Sequence, residues 1–164
     1  MRARAPQVSV AGSGRCGQAS EEARAAAEVG ALLAERGVTV VCGGLGGVME
    51  AVSRGAAERG GEVIGIVPGS SAEAANPFCT RVVVAGVGEA RNLAVAASGE
   101  ALIAIGGAWG TLSEIALARK LGRRVVLLGG WSVPETPAGG ADPGVLEAGG
   151  PAEAVALALG PAQP

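Results

Sequence analysis

Apolar positions along the chain fall into short continuous runs, and longer stretches with helical spacing separate them. Residues 7–11, 38–42, 62–67, 81–84, 101–105 and 124–128 form the runs (QVSVA, VTVVC, EVIGIV, RVVV, ALIAI, RVVLL) and read as strands. Most are apolar throughout rather than alternating, as strands of a parallel sheet covered on both faces are. Between them, Ser20 with Glu21 and Glu22 reads as the capped start of a helix reaching about Arg36, where Gly37 stops it. Further helices are expected over 48–59, 88–98 and 111–121, and over 152–159 with Pro151 as its first residue. Residues 131–150, rich in Gly and Pro, read as a surface loop. The alternation predicts one α/β domain: a Rossmann-like, doubly wound, mainly parallel six- to seven-stranded sheet with helices on both faces.

Composition narrows the chemistry. At 164 residues the chain has room for one domain with a full core. Trp109, Trp131 and Phe78 are its only aromatic residues, so Val, Ile, Leu and Ala must build that core. The formal net charge is -2 and no basic run is present, which argues against nucleic acid as a partner. No apolar run reaches membrane-spanning length, and the N-terminus does not read as a signal peptide. Cys16, Cys42 and Cys79 fit neither a disulfide framework nor a zinc spacing, so a reducing cytoplasmic setting and no metal are expected. The chain has no histidine, which excludes a Ser-His-Asp triad. Lys120 is the only lysine; a pyridoxal-phosphate enzyme would need it as its Schiff base, yet it falls late in an expected helix.

The 29 glycines cluster at strand ends. Gly12-Ser13-Gly14 follows the first strand, Gly43-Gly44-Leu45-Gly46-Gly47 with Met49 follows the second, and Gly106-Gly107-Ala108-Trp109-Gly110-Thr111 follows the fifth. In a doubly wound fold ligands sit outside these carboxyl ends, where the next helices offer free backbone N–H groups to an anion. Gly12-x-Gly-x-x-Gly17 has the form of a dinucleotide fingerprint, but the end of the second strand carries no acid for a ribose. That turn therefore reads as a phosphate or ribose loop, and NAD is disfavoured. The turn with Gly107, Ala108, Gly110 and Thr111 is the principal phosphate candidate, with Glu114 near its mouth. Thr111-x-x-Glu114 also matches a capping box, which would be purely structural. Arg91, early in the expected helix after the fourth strand, could clamp a phosphate bidentately or merely face solvent or pair with a Glu.

These residues resemble the LOG family of the SLOG superfamily, formerly called lysine decarboxylase-like. Its Pro-Gly-Gly-x-Gly-Thr-x-x-Glu signature is matched by residues 106–114, and Arg91, 23 residues before Glu114, stands at the signature arginine. Gly106, Ala108 and Asn92 replace the signature proline, second glycine and lysine. With Asn76-Pro77 and Gly88–Asn92, the chain looks most like the branch that includes the molybdenum cofactor carrier protein.

The resemblance implies two alternative activities. One is a phosphoribohydrolase that releases a base and ribose 5-phosphate from a nucleoside 5′-monophosphate. In it Arg91 and Glu114 would be catalytic, and Gly12, Ser13, Gly43, Gly44, Gly46, Gly47, Met49, Asn92, Gly107, Ala108, Gly110 and Thr111 would bind the ligand. The other is a carrier or sensor of a phosphorylated pterin, the molybdenum cofactor, or a nucleotide. No cofactor is required by either; the bound molecule would be an AMP-like nucleotide, phosphate or molybdopterin. The resemblance also implies a homodimer or homotetramer.

Overall fold

The computed structural model describes residues 4–133, 135–136 and 138–160. The elements run β1 (Gln7–Gly12), α1 (Glu21–Glu35), β2 (Thr39–Cys42), α2 (Val48–Ala57), β3 (Val63–Val67), β4 (Arg81–Val84), α3 (Arg91–Ser98), β5 (Ala101–Ile105), α4 (Trp109–Lys120), β6 (Arg124–Leu128), β7 (Val145–Glu147) and α5 (Pro151–Leu159). The strands make one seven-stranded sheet in the order β4-β3-β2-β1-β5-β6-β7. Every neighbouring pair is parallel. The fold is thus Rossmann-like and doubly wound, with the strand order reversing between β1 and β5.

Val8, Val10, Val40, Ile103 and Ile105 fill the sheet's centre and are almost wholly inaccessible. Helices α1, α2 and α5 cover one face, and α3 and α4 the other. The alanines of α1 serve this packing: Ala23 and Ala26 are fully buried in the core. Helix α1 begins as its sequence requires, with Ser20 Oγ accepting from the Ala23 N–H at 3.2 Å.

Two expectations need correction. The stretch 131–150 is not wholly loop, because Val145–Glu147 pairs in parallel with β6 as the seventh strand. A three-residue strand carries no readable period; the open edge of β6 and an anchor beside it create the strand. That anchor is Arg119, whose Nε and Nη2 each donate to the Asp142 carboxylate at 2.7 Å. In addition, α4 begins at Trp109 with Ala108 as its N-cap, so Thr111 lies inside the helix and forms no capping box.

Candidate functional site

The turns after β1, β2 and β5 converge at the carboxyl edge of the sheet, over the reversal between β1 and β5. They enclose a cleft of about 530 Å³. Gly12 and Ser13 form one wall with Met49 of α2; Arg91 and Asn92 of α3 form another; Ala108, Gly110, Thr111 and Glu114 form the third. A hollow of about 620 Å³ lies at the opposite edge, among Pro6, Val38, Gly122 and Gly144, away from all three turns.

The glycine turns differ in what they offer. Helix α2 has its first N–H occupied, since Val48 donates to Ser13 O at 2.8 Å. Gly47, at φ 60°, lies so close to Ser13 O that a side chain there would collide with it. These contacts lock the first two turns together. Helix α4 differs at its first N–H: its cap Ala108, like Gly47, provides no side-chain hydrogen bond, but no carbonyl among the described residues takes the Trp109 N–H. Among the described residues, the N–H groups of Trp109, Gly110 and Thr111 have no partner. They form the open, positively polarised helix end that an anion needs.

Gly43, Gly44, Gly46, Gly47 and Gly107 are not among the residues that line the cleft. They stand behind its walls and permit close approach. A Cβ at Gly43 would meet Arg91 Nη2 at 2.7 Å, and one at Gly107, where φ is 101°, would collide with the Thr111 side chain. Gly106 has φ 53°, a value closed to proline. The β2 turn is tied down from outside: Asn76 N–H donates to Gly44 O at 2.7 Å and Asn76 Nδ2 to Leu45 O at 3.0 Å.

Four of the buried polar residues, Arg91, Asn92, Thr111 and Glu114, gather at this cleft, with exposures of 3 to 6%. Asn92 links the two helices on this face. Its Oδ1 accepts from Arg91 Nη1, and its Nδ2 donates to Ser113 Oγ at 3.0 Å. Arg91 Nε is buried with no partner among the described residues. Glu114 likewise makes no hydrogen bond among the described residues, and burial pushes its carboxyl up to about 8, against the opposing pull of Arg91 and with smaller upward contributions from Cys42 and Glu89. Buried polar groups without partners are costly, so their convergence on one cleft points to a ligand that satisfies them. Lys120 is at the far end of α4, exposed, in the helix's last turn.

The sequence reading did not single out Gly14, Arg15, Leu45, Glu89 or Trp109, which also line the cleft. Arg15 and Trp109 carried a signal, each being the bulky residue inside a glycine-rich turn.

An all-parallel, doubly wound sheet with a glycine-turn cleft at its switch point defines a Rossmann-like α/β protein. The chain belongs to the SLOG cluster4 family, whose model matches residues 5–155. It is 43% identical over 137 residues to an uncharacterized protein of Archaeoglobus fulgidus, covering 80% of this chain and 89% of that one. Among solved structures it is similar to the molybdenum cofactor binding protein of the phototrophic bacterium Rippkaea orientalis. That match has a TM-score of 0.82 and 32% identity, over 94% of this chain and 95% of the other. It is also similar to the molybdenum cofactor carrier protein of Chlamydomonas reinhardtii, with a TM-score of 0.80 and 34% identity over 93% of this chain and 95% of that one.

Proposed function

We propose that the cleft binds a small phosphorylated ligand of the pterin or nucleotide type, and that the protein carries this ligand rather than hydrolysing it. The observation that carries the reading is the placement of Arg91 and Glu114. Both are 6% exposed and both line a cleft that also holds the open amides of α4, and Arg91 Nε is buried there with no partner among the described residues. The phosphate would take the Trp109, Gly110 and Thr111 N–H groups, with the Arg91 guanidinium as a charged donor. Asn92 would hold Arg91 in position.

The similarity to two molybdenum cofactor-binding proteins favours carriage over hydrolysis, because that cofactor is itself a phosphorylated pterin. Glu114 is compatible with a phosphate beside it: burial pushes its carboxyl up to about 8, which favours the proton-bearing form, a hydrogen-bond donor that does not repel an anion. The same raised carboxyl would suit a general acid, so activity has to be assayed directly.

The test incubates purified protein with AMP and other nucleoside monophosphates, and titrates it in parallel with a phosphorylated pterin by calorimetry. Pterin binding without release of ribose 5-phosphate is the expected result. Release of ribose 5-phosphate that depends on Glu114 would establish the hydrolase instead.

A further inference from the structure

Trp109 stands at the mouth of the cleft, and Trp131 packs behind it. The protein has two Trp, one Phe and no Tyr, and among the described residues no fully buried core residue is aromatic, Trp131 only packing against the core from outside. Trp109 and Trp131 pair at a centroid distance of 5.5 Å, tilted by 49°. Trp131 Nε1 donates to Ala108 O at 3.1 Å, which holds its ring against the start of α4. Trp109 lines the cleft and stays 77% exposed, the most exposed large apolar side chain described. Leaving a ring of that size in water forgoes the burial that stabilises other aromatic residues. A ring held there against a second, hydrogen-bonded ring offers a flat apolar surface to whatever enters.

We propose that Trp109 is a stacking platform for a planar heterocycle, with Trp131 as its backing. This rests on the phosphorylated-ligand reading above and adds to it the chemical class of the other end of the ligand. The backbone N–H of Trp109 is one of the open α4 amides, so the phosphate site and the ring surface belong to one residue and its neighbours. A ligand with a phosphate close to a flat ring system spans both; a sugar phosphate without a ring system reaches only the amides. Stacking accepts any extended π-face, so the platform selects for a planar ring and leaves the distinction between purine and pterin to other groups.

The experiment titrates wild type, Trp109→Ala and Trp109→Phe with three probes: AMP, neopterin monophosphate and ribose 5-phosphate. Thermal melts of each variant check folding. The expected result is a loss of roughly tenfold or more in affinity for AMP or neopterin monophosphate in Trp109→Ala. Trp109→Phe retains most of the affinity, and ribose 5-phosphate binds all three proteins equally. In Trp131→Phe, where Trp109 is the remaining tryptophan, the ring-bearing probe quenches its emission and ribose 5-phosphate does not. Undiminished affinity of Trp109→Ala for the ring-bearing probes overturns the platform while the phosphate site stands. An equal loss for ribose 5-phosphate overturns it too, since Trp109 would then only support the helix start. If wild type binds none of the three probes, the phosphorylated-ligand reading falls and takes the platform with it.

Discussion

The guanidinium of Arg91 rests on Gly43. A Cβ at Gly43 would stand 2.7 Å from Arg91 Nη2, 2.8 Å from its Cζ and 2.7 Å from Met49 Sδ. The absence of one side chain in the β2 turn thus lets a residue of α3 lie flat across it. Gly43 is not at positive φ, so alanine is compatible with its backbone. Gly43→Ala is expected to fold, to push Arg91 and Met49 aside, and to weaken binding of a phosphorylated ligand by about tenfold, the worth of one charge-assisted hydrogen bond. Arg91→Lys should lose about as much, because a point charge cannot reproduce the planar fork. Calorimetric titration beside a thermal melt checks both; unchanged affinity in Gly43→Ala would remove Arg91 from the ligand's contacts.

Glu114 makes the stability of the ligand-free protein depend on pH. Its folded-state pKa, about 8, lies above the ordinary 4.5. Below that ordinary value both folded and unfolded chains hold the proton, and the group costs nothing. As pH rises towards 8 the unfolded chain ionises while the folded one resists, so stability falls, by at most about 1.4 kcal/mol per pH unit. Glu114→Gln stays neutral throughout. Its melting temperature is expected to draw ahead of wild type between pH 5 and 8, by up to roughly 8–16 °C across that window, and the gap should then level off. Parallel curves at every pH would show that Glu114 is ionised in the folded protein. Anion affinity of wild type should also drop above about pH 8, as the carboxylate charges beside the phosphate, and Glu114→Gln should lack that drop.

Gly47 tests the lock between the first two turns. Its φ of 60° is costly for any residue with a Cβ, and the Ser13 carbonyl occupies the space such an atom needs. Gly47→Ala is expected to lose at least about 2 kcal/mol, read as a drop of roughly 4–8 °C in melting temperature. Gly69→Ala is the control, since nothing lies within 4 Å of the added atom and its φ is not positive.

The edge beyond β4 bears on assembly. Val83 and Val84 of β4, Val87 just after it and Leu93 of α3 are 43 to 57% exposed. We propose that these exposed apolar residues join copies of the chain. Light scattering on a sizing column should report a dimer or tetramer, and Val87→Glu with Leu93→Glu should convert it to monomer. A monomeric wild type would end this proposal.

Much of the fold was legible because its signals are local. Continuous apolar runs such as Ala101–Ile105 need burial on both faces, Ser20 can cap only the helix that starts beside it, and Pro151 suits only a first helical turn. The strand Val145–Glu147 was not legible. Its pairing with β6 and the Arg119–Asp142 anchor are contacts between distant segments, and three residues are too few for a pattern. The capping-box reading of Thr111 and Glu114 failed for a related reason: the helix starts two residues earlier, at Trp109, directly after the extended Ala108.

By itself the sequence determined an α/β chain whose glycines cluster after the first, second and fifth strands, and it excluded histidine chemistry outright. It also brought Arg91, Thr111 and Glu114 forward as candidates. Only the tertiary structure decided which glycines face the cleft and which merely make room. Gly12 and Gly110 line it, while Gly43 and Gly107 stand behind Arg91 and Thr111. It also decided that α4 keeps open amides while Ser13 takes the first amide of α2. The physical reason is that a glycine's sequence context signals only that backbone must pass closely. Its neighbour there, whether a ligand, a carbonyl or an arginine, is set by segments that meet only when the sheet is wound.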